Sequence, residues 1–180
     1  MLQGKRRVKA KPVPVILDRE NLRQAEDFLR QADPVLGKVM EMVGPCLLCE
    51  ENERNPFEQL CIAIIGQQLS VKAAHTIKGR VVEKLGVLEP EAILAAGEEE
   101  LRACGLSRAK IRYVKALSSM VNDGRLRLKE LAELPSEAVL EELLKVPGIG
   151  RWTAEMFLLF NLRHSNVLAL ADVGPHRAVH

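Results

Sequence analysis

Four residues, Pro147-Gly148-Ile149-Gly150, separate the acidic amphipathic segment SEAVLEELLKV from the apolar segment RWTAEMFLLFNL. This break constrains the fold more than any other stretch. Pro147 has no N–H to continue an incoming helix, and it pushes Val146 away from helical geometry. Gly148 and Gly150 tolerate positive φ and allow another backbone to come close. Ile149, apolar between two glycines, is expected to plug the groove between the two segments. The spacing therefore predicts a helical hairpin over 136–162.

The rest of the chain follows the same period. Apolar residues recur at three- and four-residue steps, as in Val71, Ala74, Ile77, Val81 and Leu85, or Ile111, Val114, Leu117 and Val121. Asp18 to Gln31 reads as a short helix, and Asp33-Pro34 opens another. Asn55 caps the apolar run PFEQLCIAIIGQQ, and Ser70 and Ser107 stand at helix starts. PEAILAA and EEELRAC are short helices, separated by Gly97 and stopped at Gly105. Only VPVIL, near the start, carries a strand pattern. The predicted class is all-α, with about ten short helices. The expected organisation is a basic arm (1–17), an N-terminal helical lobe (18–54) and a helical domain (55–180), with a cleft between the two lobes.

With 180 residues, 47% of them hydrophobic and 28% charged, the composition is that of a folded globular domain. A net charge of +2 says little by itself. Its distribution says more: Lys5, Arg6, Arg7, Lys9 and Lys11 precede any acid. Arg102, Arg108, Lys110, Arg112, Lys115, Arg125, Arg127 and Lys129 share one stretch with only Asp123 and Glu130. Such runs either meet phosphate or form a solvated face, and nothing local selects Lys110 or Lys115 for phosphate. Cys46 and Cys49 have half-site spacing for zinc, but no second pair follows. The four cysteines therefore read as buried thiols in a reducing, intracellular, cytoplasmic setting. His75, His164 and His176 have no metal spacing. No run approaches membrane-spanning length, so neither membrane nor metal is expected.

The hairpin start offers several unpaired amides beside Arg151, at the positive end of the outgoing helix. That arrangement suits an anion such as a backbone phosphate. A bare Gly-x-Gly is only a tight turn. The full string Leu-x-x-Pro-Gly-Ile-Gly-x-x-Thr-Ala, from Leu144 through Thr153 to Ala154, is far more specific.

ELLKVPGIGRWTAEMFLLF resembles the hairpin of the helix–hairpin–helix DNA glycosylase superfamily, and its Trp152 is similar to the 3-methyladenine DNA glycosylase II branch. IAIIGQQLSVKAAHTIKGRV resembles that family's helix and wedge loop, and CGLSRAKIRYVKAL its second helix. NVLALADVGPHRAV resembles the segment that carries its catalytic aspartate. These matches run in order from about Asn55 to the C-terminus. The family continues with helices that complete the N-terminal lobe, and any iron–sulfur cysteine cluster lies there too. This sequence, ending at His180, is short of them.

The resemblance implies a fold, a reaction and a set of residues. The reaction is hydrolysis of the N-glycosidic bond of an alkylated base flipped out of duplex DNA, by a monomer without cofactors. Asp172 corresponds to the carboxylate that stabilises an oxocarbenium-like sugar and positions water; taken locally, it is also a good turn or N-cap residue. Relatives that cut the backbone through a Schiff base carry lysine two positions after the second glycine. Trp152 stands there instead, which implies a monofunctional enzyme that leaves an abasic site. An indole face also attracts a cationic alkylated purine, although a lone Trp is commonly core. Met156, one turn on, is expected in the same base pocket. Gln68 matches the wedge that fills the vacated stack, with Leu69 as its alternative. Pro147, Gly148, Ile149, Gly150, Arg151 and Thr153 form the expected phosphate-binding hairpin. Two other functions fit the same residues: a non-catalytic DNA-binding module, or a glycosylase for uracil, a mismatch or an oxidised purine.

Overall fold

The computed structural model describes residues 16–50 and 55–169. Most of the basic arm, the start of VPVIL, the linker residues 51–54 and Asp172 lie outside these residues.

Among the described residues there are nine α-helices and one short 3-10 turn. The first two are α1 (Arg19–Ala32) and α2 (Pro34–Val43). Asp18 caps α1 reciprocally with Asn21. Asp33 caps α2 by accepting from Val35 N and Leu36 N, with Pro34 at the first turn. The two helices pack on each other, and α1 buries no residue of its own.

The remaining helices build the core. α3 (Pro56–Gly66) is capped by Asn55, α4 (Val71–Leu85) by Ser70 and α7 (Arg108–Asn122) by Ser107. Between the last two lie α5 (Pro90–Ala95) and α6 (Glu98–Ala103). The hairpin itself is α8 (Ser136–Leu144) and α9 (Arg151–Phe160). α3 is the axle: Leu60, Cys61, Ile64 and Ile65 are essentially sealed from solvent, and α4, α7 and α9 pack around it. A helix apolar on most of its faces is stable only when surrounded in this way, each buried aliphatic side chain contributing about 1.5–3 kcal/mol.

Two elements depart from the pattern. α3 stops at Gly66 rather than running through both glutamines, because the chain turns sharply at Gln67 and Gln68. A 3-10 turn over Glu130–Glu133 carries no clear sequence signal; it buries Leu131 in the core beside Leu126 and Leu128. Among the described residues of the strand pattern, Ile16 forms one antiparallel bridge to His164, with Leu17 N donating to Arg163 O at 2.7 Å. This bridge ties the chain before α1 to the segment that leaves α9.

The cysteines are corrected in one respect. Cys49, Cys61 and Cys104 are buried as expected, but Cys46 is exposed at the break after α2. Gly44 and Pro45 end that helix before its side chain reaches any core.

Candidate functional site

The hairpin turn is built from both sides. Ile149 is 5% exposed and joins the core, and its N–H donates to Val146 O at 3.1 Å. The plug expected from the sequence is therefore in place. The two glycines have different jobs. Gly148 has φ +87°, and a Cβ there would land in the ring of Tyr113, so glycine is demanded twice. Gly150 has an ordinary extended backbone (φ −89°, ψ 171°), and a Cβ there would meet nothing within 4 Å. Of the two glycines that tolerate positive φ, only Gly148 uses that freedom. Among the described residues nothing within 4 Å of that position calls for glycine at 150.

Among the described residues no side chain caps the start of α9, an arrangement in which the first amides of a helix suit an anion. Arg151 stands beside them. Its Nε donates to Glu155 Oε1 at 2.8 Å, and Glu155 is buried to 6% exposure while the Arg151 side chain stays largely in solvent. Glu155 thus steers the arginine without covering it. Thr153, grouped with the hairpin in the sequence, turns inward at 5% exposure, with its hydroxyl 3.5 Å from Gln67 Nε2. Its side chain supports the turn from behind.

Gln67 is the residue that sequence reasoning missed. Its Nε2 donates to Gly148 O at 2.8 Å, linking the end of α3 to the hairpin turn. Gln68 follows with φ +57° and an exposed side chain, a conformation that costs a non-glycine residue about 1–2 kcal/mol. Leu69 is also exposed, and its N–H closes the turn onto Gly66 O. Gln68 and Leu69 therefore both stand in solvent at this turn. It shares an open cleft of about 460 Å³ with Ser107, Lys110, Tyr113 and the hairpin turn.

The two lysines left open by the sequence both engage main-chain carbonyls. Lys110 Nζ donates to Ile65 O and Gln67 O, both at 2.7 Å, and Lys115 Nζ donates to Ala96 O at 2.7 Å. Burial pushes the Lys110 amine below its usual range. Elsewhere in that basic stretch, Arg125 pairs with Asp123 and Arg127 with Glu130.

On the outer face of α9, Trp152 is 45% exposed. Met156, one turn on, lines a groove of about 140 Å³ between α3 and α9, together with Gln59, Ala63 and Phe160. Trp152 is not among the residues that line this groove; it lies one helical turn before Met156 on α9. The spacing 152, 156, 160 was the signal that could have added Phe160. Among the described residues no group of three His, Cys, Asp or Glu could hold a metal ion.

Comparison with known proteins places this arrangement. The description "HhH-GPD superfamily base excision DNA repair protein" matches residues 61–180. The chain belongs to the HhH-GPD superfamily. One relative in that superfamily, DNA-3-methyladenine glycosylase 1 of Schizosaccharomyces pombe, is 36% identical over 161 residues, which span 86% of this chain and 70% of the relative. The crystal structure of a DNA-3-methyladenine glycosidase from Bacillus halodurans superposes with a TM-score of 0.73 at 39% identity, covering 84% of this chain and 70% of that one. A Schizosaccharomyces pombe 3-methyladenine DNA glycosylase in complex with abasic DNA also superposes at 0.73, with 32% identity and coverages of 83% and 75%. The all-helical architecture is that of the superfamily. No helix among the described residues is long and apolar enough to cross a membrane.

Proposed function

We propose that this chain is a monofunctional DNA glycosylase that hydrolyses the N-glycosidic bond of N-alkylated bases flipped out of duplex DNA. The observation that carries this reading is Trp152: two residues past Gly150, half in solvent, and one helical turn before Met156 on α9. An alkylated purine is cationic and already a good leaving group, so the site needs an aromatic surface and one carboxylate but no strong general acid. An indole face holds such a cation by about 1–2 kcal/mol when desolvated. The related proteins named for 3-methyladenine support the same lesion class.

In this reading Asp172 is the carboxylate. It stabilises positive charge on the sugar and directs water to the anomeric carbon. The open amides of α9 and Arg151 hold a backbone phosphate without reading sequence. Gln68, with Leu69 behind it, fills the gap left by the flipped base. Without a lysine at position 152 there is no Schiff base, so the product is an intact strand with an abasic site. The chain acts as a monomer on damaged duplex DNA, its catalytic domain spanning 55–180 and a helical lobe 18–54.

The test is a panel of duplexes, each carrying one lesion (alkylated purine, uracil, mismatched thymine or oxidised guanine), scored for strand breaks with and without alkali. Breaks at alkylated purines only after alkali are expected. Breaks without alkali overturn the monofunctional assignment, and no breaks on any duplex leave only a DNA-binding module. Asp172→Asn should abolish release while duplex binding survives; undiminished release removes Asp172 from the mechanism.

A further inference from the structure

The structure links the loop at Gln68 to the hairpin turn through Lys110, Gln67 and Tyr113. Lys110 sits in the first turn of α7. Its ammonium bonds the carbonyls of Ile65 and Gln67 at 2.7 Å each, taking the orphan acceptors at the C-terminal end of α3. The Gln67 carbonyl is thereby fixed in direction, and the next residue, Gln68, leaves it with φ +57°. The Gln67 side chain points the other way and donates to Gly148 O at 2.8 Å. Tyr113, three residues along α7 from Lys110, packs its ring on Gly148. One face of α7 therefore touches both the loop and the turn, and Gln67 joins them directly.

We propose that Lys110 and Gln67 are positioning residues that lock the wedge loop to the hairpin turn, so that gripping the strand and intruding into the stack occur as one rigid event. Lys110 commits two of its three ammonium protons to these carbonyls, a structural task that its place in a basic stretch does not suggest. A loop that carries a residue in left-handed conformation relaxes once its flanking carbonyl is released. The force that opens the duplex is then lost, while the base pocket and its chemistry stay intact. The inference rests on the glycosylase reading above and on Gln68 as the intruding residue.

The experiment uses the full chain with Lys110→Met, which keeps length and removes the donors, and Lys110→Arg, which restores charge and donors. Single-turnover release of an N-methylated purine is measured in two duplexes. In one the purine is paired with its normal partner; in the other it lies opposite an abasic analogue, so that less pairing need be broken. Lys110→Met should slow release from the paired duplex by about tenfold or more, and from the unpaired one by less than about threefold, because only the first demands the full cost of extrusion. Lys110→Arg should recover most of the loss. Equal slowing on both duplexes, or no slowing on either, overturns the proposal.

A 2-aminopurine placed opposite the lesion reads unstacking without any chemistry. Its fluorescence should rise on binding of the wild-type chain and rise less with Lys110→Met; equal rises overturn the proposal. If the wild-type chain releases no base, the glycosylase reading fails, and the fluorescence comparison decides the positioning role alone. If circular dichroism shows that Lys110→Met does not fold, Gln67→Met, which leaves the α3 carbonyls bonded, carries the same comparisons with the same expected outcomes.

Discussion

Gln67 and Gly148 lie 81 positions apart and share a hydrogen bond of 2.8 Å from side-chain amide to backbone carbonyl. Through it the end of the central helix α3 is fastened to the turn of the hairpin. The turn is therefore not an independent motif; its shape depends on α3 and on Tyr113 of α7, which fills the space beside Gly148.

The two glycines of that turn should respond differently to alanine. Gly148→Ala forces a Cβ into the Tyr113 ring at positive φ, and a loss of about 2–4 kcal/mol in urea unfolding is expected. Gly150→Ala meets open space at an ordinary φ and should cost no more than about 1 kcal/mol as a poorer N-cap. Its effect should fall on duplex affinity, measured by fluorescence anisotropy at two salt concentrations. Unchanged affinity would mean that nothing approaches this side of the turn.

Replacing Trp152 tests the aromatic surface. Trp152→Leu should lower kcat/KM for a cationic purine by about 5- to 30-fold, the equivalent of 1–2 kcal/mol of cation–π attraction. Release of a neutral base such as hypoxanthine should change much less. A uniform loss across both bases would point to packing instead.

His164 links stability to acidity. Its ring is sealed from solvent, with Nδ1 2.8 Å from Ser136 Oγ and Nε2 buried without a hydrogen-bond partner among the described residues. Burial pushes its pKa below the ordinary 6.5. The unfolded chain therefore takes up a proton near pH 6.5 that the folded chain refuses. Stability should be level above that pH and fall as pH drops below it, down to the folded pKa. Urea midpoints measured from pH 7.5 to 5 should show this limb, and His164→Gln should flatten it.

The cysteines should separate cleanly under alkylation. Burial pushes the Cys61 thiol up to about 12, and Cys49 and Cys104 are buried too, whereas Cys46 lies in solvent. Mass spectrometry after brief iodoacetamide treatment should find Cys46 modified in the native protein and the other three only in denaturant. Rapid native labelling of Cys61 would contradict the packing of α3.

Much of this was legible in the residues. Helix starts at Asp18, Asp33, Asn55, Ser70 and Ser107 were readable because capping is a local interaction between neighbours. The hairpin was readable for the same reason: Pro147 stops one helix, and Ile149 is apolar where a turn would otherwise be polar. The 3-10 turn at Glu130–Glu133 was not, since a few residues between two helices carry no period.

The sequence alone therefore determined the helices, their breaks and the family likeness, all of which depend on residues within a few positions of one another. Tertiary structure decided what those residues touch. It showed that Gly148 rather than Gly150 needs glycine for the fold, and that Thr153 faces inward. It also showed that Lys110 and Lys115 bond main-chain carbonyls of other segments. These outcomes rest on contacts between segments tens of residues apart. No local pattern encodes them, because the partner of a buried donor is set by how the helices pack.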